Sequence, residues 1–354
     1  MKSVAKKILI VGPSWVGDMV MAQSLFITLQ TISRSMNSDE DSNAECHIDV
    51  LAPEWSLPIL ERMPEVRRGI IMPVGHGKLD LRTRFKLARK LALESYDQAI
   101  VLPNSLKSAL IPFLAGIPRR TGWRGEMRFG LLNDIRLLDK AKYPLMVQRF
   151  VALAYSNETP PPDNCPKPAL VSGSEGIIEK HGFDKSQPFL ALCPGAEFGP
   201  SKRWPEQHYA QVAEEFIARG WQVGLFGSAN DAIVATDISR QLSESAQKNC
   251  INLTGKTSLA DAVDILSKAS AVVSNDSGLM HICAALDRPM AVVYGSTSPD
   301  FTPPLSDNVI VKNLNVDCSP CFQRECPLSE KDERMKCLQR LEPVEVVSGL
   351  DTLL

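Results

Sequence analysis

Charge of one sign is missing from this chain. Its 354 residues carry 39 basic and 41 acidic side chains, a net of −2, so no global field draws it to nucleic acid. Long apolar runs are missing too. None reaches the length of a bilayer span, and Met1–Gly12 is too short before its glycine to serve as a signal peptide. These absences make the cytoplasm the expected compartment. Two nucleotide-binding signatures are also lacking. Gly12-Pro13-Ser14-Trp15-Val16-Gly17-Asp18 spaces its glycines as a P-loop does, but Asp18-Met19 stands where lysine and a hydroxyl residue are required. That disfavours a Walker-type NTPase. No GxGxxG run occurs, which weakens a dehydrogenase reading.

What is present is an ordinary globular composition, 44% apolar and 23% charged, over a length suited to two domains. Short apolar runs at Lys7–Gly12, His47–Ala52, Gly69–Val74 and Gln98–Pro103 read as buried parallel strands, with helical patterns at Asp18–Gln30 and Leu81–Leu93. Thr159–Pro168 is a proline-rich joint. Beyond it the alternation restarts. Phe189–Gly195, Gln222–Gly227, Ala271–Asn275 and Met290–Gly295 read as strands, and Glu206–Arg219, Leu259–Lys268 and Gly278–Leu286 as helices. The expected class is α/β, with doubly wound parallel sheets in two similar domains, 1–165 and 166–340. Residues 341–354 are expected to form a helix returning to the first domain. The joint suggests a ligand cleft between the halves.

Chemistry concentrates at Ala271–His281, AVVSNDSGLMH, where a strand feeds a helix through Asp276-Ser277-Gly278. A helix start exposes unpaired N–H groups and the positive end of its dipole, which suits a phosphate. His281 lies one turn further on, on the same face. Read alone, Asp276 is equally a helix cap and His281 a core histidine. The loop Gly195–Pro205 carries Lys202 and Arg203, which can neutralise a diphosphate or merely flank a helix. Asp18, at a helix start, is either an N-cap or a catalytic base. Lys107 and the stretch Arg119–Arg128, with Arg119, Arg120, Arg124 and Arg128, form either a polyanion site or a solvated face. The acidic triplet Asp39-Glu40-Asp41 reads as a solvated loop.

Nine cysteines remain. Four cluster as Cys318-x2-Cys321-x4-Cys326-x10-Cys337, which is either a set of neighbouring thiols, a structural zinc site or a disulfide pair in an oxidised sample.

Taken together, GPSWVGDMVMAQSL, VLPNSLKSALIPFLAGIPRRTGWRGEMRFGLLND, CPGAEFGPSKRWP and SNDSGLMHICAALDRPMAVVYGSTSPDFTPPL resemble the lipopolysaccharide heptosyltransferases of glycosyltransferase family 9 over nearly the whole chain. The resemblance implies a GT-B fold, two Rossmann-like domains facing a central cleft. It implies inverting transfer of L-glycero-D-manno-heptose from ADP-heptose to the first heptose of the Kdo–lipid A inner core, with no cofactor or metal required. Asp18 matches the family's catalytic base, Lys202 the donor-phosphate lysine, and Asp276, Ser277, Gly278 and His281 the donor-binding loop. Lys107, Arg119, Arg120, Arg124 and Arg128 would meet the acidic glycolipid acceptor at the cytoplasmic face of the inner membrane. The family's ribose-contacting acid has no secure match around Phe226–Asp231. A nucleotide-sugar epimerase and a non-catalytic two-lobed sugar-binding protein share the expected outline.

Overall fold

A computed structural model describes residues 6–36, 46–75, 77–156, 159, 161, 163–173, 175–330 and 332–354. Asp39-Glu40-Asp41 lies outside them. The chain divides into two units at Pro168/Ala169.

In the first unit, β1 (Lys7–Val11), β2 (His47–Ala52), β3 (Val66–Ile71), β4 (Gln98–Val101), β5 (Arg119–Trp123) and β6 (Asp134–Arg136) form one parallel sheet in the order 3-2-1-4-5-6. Ile8, Leu9 and Ile10 of β1 are almost wholly buried, which is what a run of branched apolar residues achieves when helices cover both faces of a sheet. The helix Val16–Met36 follows β1 and packs against the helix Met146–Val151. β3 begins earlier than its apolar pattern suggests, because Arg67 and Arg68 extend it to reach Asp49, a fully buried acid on β2.

The second unit repeats the plan. β7 (Phe189–Cys193), β8 (Gln222–Leu225), β9 (Cys250–Asn252), β10 (Ala271–Asn275), β11 (Met290–Tyr294) and β12 (Val309–Asn313) pair in parallel in the order β12-β11-β10-β7-β8-β9. Numbered within the unit, that is again 3-2-1-4-5-6, the doubly wound order expected from the alternation. Val272↔Ala191 and Ser274↔Cys193 set the central register.

The helix Pro343–Asp351 belongs to the second unit. It packs on the helix Glu206–Ala218 and on β11 and β12, and buries Val346 and Leu350 completely in the core of the second unit. Its apolar face is Pro343, Val346, Val347 and Leu350, a helical spacing that needs a sheet flank to cover it.

Candidate active site

β7 and β10 are hydrogen-bonded neighbours although two strands separate them in sequence. The connections leaving their carboxyl ends diverge to opposite flanks, which is where doubly wound sheets bind ligands. The Lys202 loop leaves β7 there, and Asp276-Ser277-Gly278 leaves β10. The fold therefore brings together two segments 74 residues apart.

Lys202 Nζ donates to Asp276 Oδ2 at 2.6 Å, and Thr297 Oγ1 donates to the same oxygen at 2.6 Å. Asp276 is 4% exposed and Lys202 13% by side chain, so the pair is nearly withdrawn from solvent. A buried pair needs such further bonds to offset the cost of desolvating two charges. The ammonium also lies over the Phe198 ring, 5.1 Å from its centroid. Thr297 follows β11 and was not singled out by the sequence, although the run Gly295-Ser296-Thr297-Ser298 after a strand signals a polar turn there.

Ser277 is the N-cap of the eight-residue helix Gly278–Ala285, with extended backbone (φ −147°, ψ 174°) and no cap bond from its side chain. The first-turn N–H groups have no intrahelical acceptor, so the helix presents donors and a positive dipole end beside Lys202. His281 is 5% exposed in the first turn of that helix. Burial pushes its imidazole down to about 4; the Asp276 carboxylate opposes this and the Lys202 ammonium adds to it. At neutral pH it is an uncharged imidazole, able to donate or accept one hydrogen bond.

Asp231, left open by the sequence, is buried against the opening of the Lys202 loop. Its carboxylate accepts from Ser228 N–H at 2.9 Å and Ser228 Oγ at 2.8 Å. Gly195 makes this possible, since a Cβ there would sit 2.5 Å from the Asp231 carboxyl carbon.

In the first unit, Asp18 is half-buried at the third position of the helix Val16–Met36. Met19 N–H bonds the carbonyl of Trp15, which places the cap at Trp15 and removes the N-cap reading of Asp18. The same switch-point argument applies: β1 and β4 are the strands that diverge, and Lys107 lies just past β4 in the helix Leu106–Leu114.

The arginines of the basic stretch go to different places. Arg128 is 2% exposed and donates to the Pro103 carbonyl at 2.6 Å, to Asn104 Oδ1 at 3.3 Å and to the Trp123 carbonyl. Arg120 donates to the Leu131 carbonyl at 2.6 Å and the Ile117 carbonyl at 2.5 Å. Arg119 pairs with Asp134 at 2.9 Å. Arg124 is exposed and Lys107 half-exposed. Arg119, although paired with Asp134, is also exposed, 49% by side chain.

Cys318, Cys321, Cys326 and Cys337 all line one cavity of about 50 Å³. Met335 N–H donates to Cys326 Sγ at 3.2 Å, and burial pushes the Cys337 thiol up to about 11. Among the described residues no three His, Cys, Asp or Glu side chains form a group that could hold a metal ion, and the nine cysteines are free thiols.

The family model for glycosyltransferase family 9 (heptosyltransferase) matches residues 84–331, more than half of the chain. The chain belongs to glycosyltransferase family 9. It is 49% identical over 316 residues to lipopolysaccharide heptosyltransferase 2 of Escherichia coli K12, covering 87% of this chain and 88% of that one. It is 50% identical over 317 residues to lipooligosaccharide heptosyltransferase 2 of Haemophilus influenzae, with the same coverage. Among solved structures, ADP-heptose LPS heptosyltransferase II of E. coli superposes with a TM-score of 0.83 at 44% identity over 98% of both chains. A family 9 structure from Veillonella parvula reaches 0.81 at 19% identity, which speaks to the fold alone. The family 9 chain is thus a glycosyltransferase with two Rossmann-like units of the GT-B type. These relatives give no support to the epimerase or to the binding-protein alternative. No helix among the described residues is long and apolar enough to cross a membrane.

Proposed function

We propose that this family 9 enzyme transfers L-glycero-D-manno-heptose from ADP-heptose to the first heptose of the Kdo–lipid A inner core, with inversion. The observation that carries the donor side is the buried Lys202–Asp276 contact of 2.6 Å at the amino end of the helix Gly278–Ala285. A cation and a set of free backbone donors at one spot fit a diphosphate leaving as ADP. Relatives named for heptose transfer to lipopolysaccharide support the sugar and the acceptor.

The acceptor hydroxyl oxygen attacks the anomeric carbon as the bond to the β-phosphate oxygen breaks. Asp18 takes the hydroxyl proton, and Lys202 with the N–H groups of Ser277 and Gly278 stabilises the charge that develops on ADP. His281, neutral at working pH, offers a hydrogen bond to the donor without adding charge. Charge stabilisation comes from these groups, so turnover proceeds with a chelator present and no metal or cofactor added. Lys107 and Arg124 contact phosphate or Kdo on the acceptor. The acceptor is a lipid, so the reaction belongs at the cytoplasmic face of the inner membrane, with basic residues assisting a weak peripheral contact.

The test is ADP-heptose with and without a Kdo–heptose lipid acceptor, read by product mass. Added heptose only when acceptor is present supports the reading. Epimerised donor without acceptor, or unchanged sugar in both arms, would sink it. Asp18→Asn separates the base: kcat should fall about a thousandfold with donor affinity kept.

A further inference from the structure

Asn275 ends β10 and is completely buried, 0% exposed. Its amide spans both ends of the loop that carries Lys202. Nδ2 donates to the Pro194 carbonyl at 2.7 Å, where the loop leaves β7. Oδ1 accepts from Trp204 N–H at 3.0 Å, where the loop enters the next helix. The Tyr209 hydroxyl donates to the same oxygen at 3.0 Å. A carbonyl on one side and two donors on the other fix which way the amide points. Only an amide puts a donor and an acceptor on one short planar group: aspartate could not serve Pro194, and an apolar residue could serve neither end.

The next residue, Asp276, grips the ammonium of Lys202. Two consecutive residues at the end of one central strand therefore hold this loop at its start, at its finish and at its charged side chain. The middle is fastened separately, with Ser201 N–H donating to the Arg324 carbonyl at 3.2 Å. Gly195 and Gly199 lie inside the loop, so its path depends on such external bonds rather than on its own stiffness.

We propose that Asn275 is a positioning residue for donor use: by tying Pro194 to Trp204 it sets where the Lys202 ammonium stands relative to the diphosphate. The inference rests on Lys202 being the diphosphate contact. Asn275 touches no substrate in this account and acts through the loop alone.

The experiment is a double-mutant cycle on the full chain with ADP-heptose and lipid acceptor, using Asn275→Ala, Lys202→Ala and the pair, with thermal unfolding followed in parallel. Asn275→Ala should lower kcat/KM for ADP-heptose about tenfold, because misplacing a charged group by a fraction of its reach costs transition-state stabilisation. The KM for the acceptor should stay unchanged. In the Lys202→Ala background the same substitution should cost less than about twofold, since contacts in one network are not additive. A full tenfold loss in that background would mean that Asn275 serves only the stability of the unit, and would overturn the inference while leaving Lys202 as a donor contact. If Lys202→Ala itself leaves kcat/KM unchanged, the donor reading of Lys202 falls and the inference falls with it. Should Asn275→Ala fail to fold, Tyr209→Phe removes one of the two donors to Oδ1. Its expected loss, about twofold to threefold, should likewise vanish in the Lys202→Ala background.

Discussion

The Lys202 loop of the second unit and the Arg119–Arg128 stretch of the first look alike in sequence: basic residues, glycines and a tryptophan beside a strand. Their side chains go to opposite ends. Lys202 is held by a carboxylate at the carboxyl edge of the sheet, beside a helix start that offers free donors. Arg128 is spent on the backbone carbonyls of Pro103 and Trp123 and on Asn104, deep enough that burial lowers its basicity. A cation whose partners are carbonyls is doing the work of turn closure. A cation paired with an acid at a switch point can exchange that acid for a ligand oxygen. Where the partner sits, rather than how many charges the segment has, separates the two.

The comparison can be broken in four places. Lys202→Ala should lower kcat/KM for ADP-heptose about a hundredfold, with little change in unfolding temperature; a small kinetic effect would put Lys202 with the structural arginines. Arg128→Ala should do the reverse. It should cost about 3 kcal/mol of stability in denaturant unfolding and leave kcat per folded molecule intact, because it strips partners from buried carbonyls.

His281 gives a pH test of the buried donor side. Its folded value of about 4 lies below the ordinary 6.5, so the unfolded chain binds the proton more readily between those limits. Stability is therefore fully present above pH 6.5 and declines as pH falls toward 4, by up to about 3 kcal/mol from this group. Unfolding curves of the wild type and His281→Gln should converge over that window, the variant losing less. Parallel curves would show that the imidazole is not withdrawn from water. The smallest effect belongs to Arg124→Ala, which should raise the acceptor KM about threefold, weaken with added salt and leave stability within about 0.5 kcal/mol.

The strands that flank the sites were legible. His47–Ala52 and Ala271–Asn275 have the same bounds in sequence and structure, because a central parallel strand is apolar on both faces and ends at a polar turn. β5 was hidden inside its arginines, and β6 and β9 are three residues each, too short to carry a pattern. β3 was displaced because its opening, Val66-Arg67-Arg68, answers to Asp49 on another strand, and local periodicity cannot register such a partner. At the site, Asp276, Ser277 and Gly278 were readable from a strand-to-helix junction. Thr297 and Asn275 were not, since their importance lies in bonds to residues 21 and 81 positions away.

The helix Pro343–Asp351 carries a consequence for how the chain is made. Val346 and Leu350 are part of the same core as Trp204 and β11, and Trp204 Nε1 donates to the Leu341 carbonyl at 3.0 Å. All six strands of the first unit have been synthesised by Arg136, so that unit has its whole sheet while the rest of the chain is still on the ribosome. The second unit has to wait for Leu350 before its core is complete. A ribosome that stops before Pro343 would release a first unit with its six-stranded sheet in place, joined to a second one still open along the flank of β11 and β12.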